Sequence, residues 1–240
     1  MDNLSPLRGV LFLIPNTLGG DSTSDVLPAP IPGIVESLRF FLAEDEKSAR
    51  RLIKTLCPAS LLRELSIERL NEHTRPSELD GLLAPLLQGH SIGVISDAGC
   101  PAIADPGSIA VSRAHELGIT VRPLVGPCSM MLALMGSGLN GQRWRFRGYA
   151  PLESQERKDA LLRMSQAAEQ EDETQIVMDT PYRNQRLFDD ILATCPKKLR
   201  LCVAQSLTTA QERIELKSIA GWSQSGATFG KVPSLFLLGK

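Results

Sequence analysis

The feature that most constrains this chain is a rhythm: short apolar runs alternate with amphipathic stretches of helix length. Gly9–Pro15 (GVLFLIP) reads as a buried strand, because it is short, bulky and stopped by proline. Phe40–Ala43 reads as a second strand, and a helix follows over Asp45–Leu56, where Ala49, Leu52, Ile53 and Leu56 share one face. Leu65–Leu70 is the next strand. Thr74, Pro76 and Ser77 then signal a helix start, and Leu79, Leu82, Leu83, Leu86 and Leu87 form its apolar stripe up to Gly89. Ser91–Ile95 reads as strand, Pro106–Leu117 as helix closed by Gly118, and Ile119–Leu124 as strand again. A β-α-β alternation of this kind predicts a mostly parallel sheet with helices on both faces.

The rhythm changes at the turn-rich SGLNG stretch, Ser137–Gly141. A domain boundary placed there gives two α/β domains, 1–140 and 141–240, each large enough to bury a core. In the second, RWRFRG (Arg143–Gly148) alternates so that three arginines share one strand face and Trp144 and Phe146 the other. A charged helix over Glu153–Gln170 follows, then strand at Thr174–Met178, helix at Arg183–Thr194, and strands at Leu199–Ala204 and Ser234–Leu238. The spacing there is shorter and leaves room for antiparallel strands.

Bulk properties narrow the function. With 26 basic against 27 acidic residues the net charge is −1, so no global field draws the chain to RNA or acidic lipid. The longest apolar run is far shorter than the roughly 20 residues of a membrane span, and MDNLSPLRG shows no secretion signal. The five cysteines (Cys57, Cys100, Cys128, Cys195 and Cys202) form no CxxC pair, which suits a reducing cytoplasm. The three histidines lack metal-ligand spacing, so no metal is expected. Neither GxGxxG nor GxxxxGK[ST] occurs, which argues against a phosphate cradle for NAD or ATP.

Ligands of open α/β sheets bind beyond the carboxyl ends of the strands. Three of the strands read here run into rigid turns: SDAGCPAIADPG (Ser96–Gly107), GPCS (Gly126–Ser129) and DTPYRN (Asp179–Asn184). Glycine lets the backbone approach a ligand closely, and proline fixes the turn. Glu44 and Asp45 follow the second strand, where a carboxylate can bind substrate or act as a base. Asp45 is also placed to cap the following helix.

SDAGCPAIADPG resembles the SDAGxPxxxDPG loop of the tetrapyrrole methylase superfamily, above all its branch of small-subunit ribosomal RNA ribose methyltransferases. LIPNTLGG (Leu13–Gly20), AED (Ala43–Asp45), GPCS, SGLN (Ser137–Asn140), FRGYAP (Phe146–Pro151) and TPYR (Thr180–Arg183) match that branch in the same order. The resemblance implies two α/β domains with S-adenosylmethionine in the cleft between them, usually in a homodimer. Carried over by motif, the cofactor residues are Asp97, Ala98, Gly99, Cys100, Pro101 and Ala102, then Cys128 and Ser129, then Tyr182, Ala204 and Pro233. The cofactor brings its own leaving group and leaves as S-adenosylhomocysteine, so the protein mainly binds and aligns.

Two departures bear on the acceptor. AEDTR of the RNA-directed branch reads AEDEK here, and its polar RELTK-type segment reads AQSLTT (Ala204–Thr209), so that Gln205, Ser206 and Thr209 replace charged groups. His73 lies in NEHT, which is similar to the family's HEHN-like stretch; a surface histidine near a helix start is the plainer account. The expectation is therefore a methyltransferase dependent on S-adenosylmethionine, with RNA ribose or a small molecule such as a tetrapyrrole as acceptor. The alternative is a ligand- or RNA-binding protein that keeps the fold without the reaction.

Overall fold

The structure is a computed structural model that describes residues 8–20 and 22–240. The segment 1–7, most of the stretch read above for a secretion signal, and Asp21 lie outside the described residues. The chain forms two compact units, Met1–Pro127 and Cys128–Lys240.

In the first unit, strands β1 (Val10–Ile14), β2 (Phe40–Ala43), β3 (Ser66–Arg69), β4 (Ile92–Ile95) and β5 (Thr120–Pro123) form one sheet. Its order is β3-β2-β4-β1-β5, and every pairing is parallel. Helices α1 (Ile31–Ser37), α2 (Glu46–Leu56), α3 (Pro76–Leu87) and α4 (Gly107–Glu116) connect the strands. The chain steps from β1 out to β2 and β3, then turns back to β4 and crosses to β5. Right-handed crossovers in opposite directions must lay their helices on opposite faces. Ile31, Val35, Ala49, Leu52 and Ile53 of α1 and α2 accordingly build one apolar layer. Leu79, Leu83, Leu86, Ala110 and Ala114 of α3 and α4 build the other. Neighbouring β1 and β4 send their following segments to opposite faces, which opens a crevice at their carboxyl ends.

The second unit holds α5 (Ser129–Ser137), β6 (Trp144–Tyr149), α6 (Ser154–Glu171), β7 (Thr174–Met178), α7 (Asn184–Thr194), β8 (Arg200–Gln205), β9 (Arg213–Ser218), α8 (Ile219–Ser225) and β10 (Ser234–Gly239). The sheet order is β6-β7-β10-β8-β9; β6 and β7 are parallel and the other pairs antiparallel. Leu161, Met164, Phe188, Ile191, Ile219 and Trp222 of α6, α7 and α8 share one core with Val177, Leu201 and Phe236. The Trp222 indole N–H is satisfied by donating to the Leu201 carbonyl at 2.7 Å. Buried Arg157 ties α6 to α7 through Asp190 at 2.6 Å and donates to the carbonyls of Pro151 and Leu152.

The SGLNG stretch is a tied turn inside the second unit, not a linker at 140/141. Asn140 donates from its side chain to the Asp172 carbonyl at 2.8 Å, and Thr174 Oγ1 donates to the Asn140 carbonyl at 2.8 Å. The second unit begins ahead of α5 because that helix packs on β8, β9 and β10. Trp144–Gly148 of RWRFRG lie in β6, which leaves Arg143 just ahead of the strand; a bulge falls between Phe146 and Tyr149, where Gly148 takes φ +76°. Leu83 is fully buried between α3 and its sheet. Leu83→Ala should lower stability by about 2–5 kcal/mol, the usual cost of such a cavity, read as a lower urea midpoint with little change in slope.

Candidate functional site

The carboxyl ends of β1, β4 and β5 are laced together by the loops that follow them. Asn16, just past β1, is buried; its side-chain amide donates to the carbonyls of Ser96 and Asp97, both at 3.0 Å. Its backbone N–H donates to the Gly99 carbonyl at 2.8 Å, and Gly99 N–H donates back to Thr17 at 3.2 Å. The Cys100 thiol lies 3.4 Å from the Pro127 carbonyl, which brings in the loop after β5. Gly126 packs so tightly on Pro15 that any side chain there would overlap the proline ring. Gly99 has φ +70°, and a Cβ on it would lie 3.1 Å from Leu18 Cδ2 and 3.2 Å from the Pro127 carbonyl.

Farther along the loop, Ala102 and Ala104 sit at φ +66° and +58°, a region that alanine avoids. Strain of this kind gathers at ligand sites when the surroundings enforce it. Asp105 enforces it at Ala102: its Oδ1 accepts from Ala102 N–H and from Gly107 N–H, both at 2.7 Å. Burial, opposed by those bonds and helped by Asp97, raises the Asp105 carboxyl above its usual range. Of the residues expected at the cofactor, Asp97 and Ala98 are exposed, Gly99 and Pro101 buried, and Cys100 and Ala102 half-buried.

Glu44 stands half-buried past β2, its carboxyl raised by burial first and then by Asp97, Asp105 and Glu72. Asp45 is exposed and caps α2, accepting from Lys47 N–H at 2.6 Å and Ser48 N–H at 3.0 Å. Those two bonds hold its carboxyl below the usual range, so Glu44 is the better-poised base of the two. His73 is an exposed turn residue whose backbone N–H donates to Asn71.

In the second unit, β7 and β8 point the same way and β10 runs against them, so the carboxyl ends of the first two meet the start of the third. Tyr182, Ala204 and Pro233 gather at that edge. Tyr182 is 77% exposed, with the Lys231 ammonium 5.1 Å over its ring. Ala204 is fully buried in β8, and Pro233 accepts from Ser206 N–H at 3.0 Å. Cys128 is the N-cap residue of α5 and Ser129 its first residue, both half-buried.

Sequence reasoning passed over Asn184 at this edge. It is fully buried and donates to the Val232 carbonyl at 2.7 Å and to Ser234 Oγ at 3.1 Å, yet its Oδ1 accepts nothing among the described residues. Asn16 was also missed as an individual residue, although a small amide just after a strand-ending proline is a turn-forming signal. Gln205 is buried and donates to Ser234 Oγ at 3.1 Å.

A carboxyl raised in the folded state makes that state bind its proton more tightly than the unfolded chain does. Stability is then lost as pH rises from the ordinary glutamate range, near 4.3, through the raised folded value. Glu44→Gln removes the penalty. The variant should match the parent in urea midpoint at pH 4 and exceed it at pH 7.

No family model matches the chain. Among curated proteins it is 30% identical over 207 residues to the ribosomal RNA small subunit methyltransferase I of Escherichia coli O157:H7, covering 86% of this chain and 68% of that protein. The protein of the same name from Vibrio cholerae serotype O1 is 30% identical over 208 residues, covering 86% and 67%. Among solved structures, uroporphyrin-III-C-methyltransferase from Thermus thermophilus aligns with a TM-score of 0.55 at 16% identity, over 97% of this chain and 93% of that one. The methyltransferase CobJ aligns with a TM-score of 0.63 at 15% identity, over 97% and 94%. These two show the fold. The sequence relatives show the family: the chain belongs to the ribosomal RNA small subunit methyltransferase I group of the tetrapyrrole methylases and is an S-adenosylmethionine-dependent methyltransferase.

Proposed function

We propose that the chain binds S-adenosylmethionine through Asp97, Ala98, Gly99, Cys100, Pro101 and Ala102 in the first unit and Cys128, Ser129, Tyr182, Ala204 and Pro233 in the second. The observation that carries this reading is the strained, laced loop past β4, with left-handed backbone at Gly99, Ala102 and Ala104. Such a cradle offers peptide groups and small side chains, which suits a ligand rich in donors and acceptors. The orphaned Oδ1 of Asn184 adds an acceptor at the second cluster. Glu44, Asp97 and Asp105 repel one another at the sheet end, which complements the cofactor's sulfonium and ammonium charges.

When bound, the cofactor supplies an activated methyl and a neutral thioether leaving group. The loop residues of the chain would hold the cofactor and align the acceptor beside it. Glu44, with its raised carboxyl, would take the proton that the acceptor gives up. Alignment at a site of this kind supplies most of the catalysis.

Ribosomal RNA is the reference acceptor, since the curated relatives carry it in their names. We propose a different acceptor here. A ribose hydroxyl needs a base and a cation or donor to stabilise the developing alkoxide. At Ala204–Thr209 this chain has only neutral groups, and they are bonded to their own turn: Gln205 to Ser234, and Thr209 Oγ1 to the Ser206 carbonyl at 2.7 Å. Arg143, just ahead of β6, donates to the Glu171 carbonyl, and Arg145 on β6 pairs with Glu173 at 3.5 Å. The reading places the enzyme in the cytoplasm as a homodimer; no described helix is long and apolar enough to cross a membrane.

Calorimetry should give micromolar-range binding of S-adenosylhomocysteine to the full chain and none to Gly99→Val. Valine at φ +70° is strained and would push Leu18 away from the Pro127 carbonyl. Equal binding by both proteins would remove the loop from the site. Small-subunit RNA from a strain lacking the protein should not be methylated by the purified enzyme. Stoichiometric methylation of one ribose at normal turnover would restore ribosomal RNA as the acceptor.

A further inference from the structure

The second unit contains a cavity apart from every residue assigned to the cofactor. It has a volume of about 210 Å³ and is lined by Arg147 and Tyr149 of β6, Arg163 of α6, and an apolar floor of Pro151, Met164 and Val177. It lies toward the carboxyl ends of β6 and β7, where ligands of such sheets bind.

The charges around it do not balance. Arg147 Nε donates to Gln175 Oε1 at 2.7 Å, and its Nη2 lies 3.8 Å from Glu173 Oε1, a carboxylate that also serves Arg145 at 3.5 Å. The Arg163 side chain and the Tyr149 hydroxyl make no hydrogen bond or ion pair with any described residue. Arg145, Arg147 and Arg163 thus face two nearby carboxylates, Glu173 and Glu171. Burial, then Arg145, with Arg163 adding to them, push the Arg147 guanidinium down from its ordinary value. A chain with net charge −1 concentrates positive charge here.

We propose that this cavity is an oxyanion site for a phosphate or phosphate-ester group, gripped between Arg147 and Arg163 with the Tyr149 hydroxyl as a further donor. Guanidinium forks match phosphate oxygens bidentately. A phosphate carrying up to about two charges near neutral pH answers two arginines better than a carboxylate does. The apolar floor excludes water from one side and strengthens those bonds. The site goes beyond the methyl-transfer reading and does not depend on it.

The test titrates the full chain with inorganic phosphate at constant ionic strength, followed by calorimetry. Arg163→Gln, at an exposed helix position, should weaken binding about tenfold, the scale of one charge-assisted bond. Arg186→Gln on α7, outside the cavity, removes the same charge and should leave binding unchanged. Absence of saturable phosphate binding, equal loss in both variants, or equally tight binding of acetate would overturn the assignment. Competition then identifies the source of the phosphate. Displacement by glycerol phosphate alone indicates a small phosphorylated ligand, and displacement by an RNA oligomer without terminal phosphates indicates a nucleic-acid backbone.

Discussion

Everything proposed for the first unit depends on the buried amide of Asn16. Its N–H groups reach the carbonyls of Ser96 and Asp97, its Oδ1 accepts from Thr17 N–H at 2.8 Å, and the Asn16 backbone N–H reaches the Gly99 carbonyl. Loops on opposite faces of a sheet have no reason to approach each other, and a loop rich in glycine loses much entropy when fixed. One short side chain, anchored by Pro15 before it, supplies the enthalpy that holds the two in register. An unmade bond there would leave a carbonyl buried and unsatisfied, at about 1–3 kcal/mol.

The same economy explains the acids. Ala102 stays left-handed because Asp105 takes its backbone N–H together with that of Gly107, and the half-buried Asp105 carboxyl sits inside the loop to reach them. Burial beside Asp97 raises its carboxyl, and Glu44 feels both. The sheet end therefore holds strain and like charge that contribute nothing to folding. A ligand that uses the pinned backbone and brings positive charge offsets both terms.

The parallel sheet was legible because β1, β2 and β4 are short apolar runs, the first stopped by Pro15, and α2 and α3 each carry an apolar stripe. The elements missed lack those marks. Helix α5 (SMMLALMGS) is apolar all round, with no stripe to show a period. Helix α1 (IPGIVES) contains proline and glycine, and α8 (IAGWSQS) is two turns long. Strand β9 (RIELKS) sits at the sheet edge and alternates charge with apolar residues, so it resembles a surface turn as much as a strand. SGLNG looked like a domain boundary because turn residues break periodicity whether the turn separates two units or is tied within one; only the long-range bonds of Asn140 separate the two cases. The loop motifs of the site were legible, since glycine, proline and aspartate at strand ends have few other uses. Asn184 and Arg163 were not, because a single polar residue on a helix reveals neither its burial nor its neighbours.

Where the end of β8 meets the start of β10, a buried polar cluster is satisfied without any charge. Gln205, Ser234 and Asn184 form one neutral network: two amides converge on Ser234 Oγ, which itself donates to the Val232 carbonyl at 3.0 Å. A network of amides and a hydroxyl can be buried once hydrogen-bonded, whereas a charge at Gln205 would need a partner or water. Because the positions are neutral, the strand end closes and Gln205 is only 7% exposed.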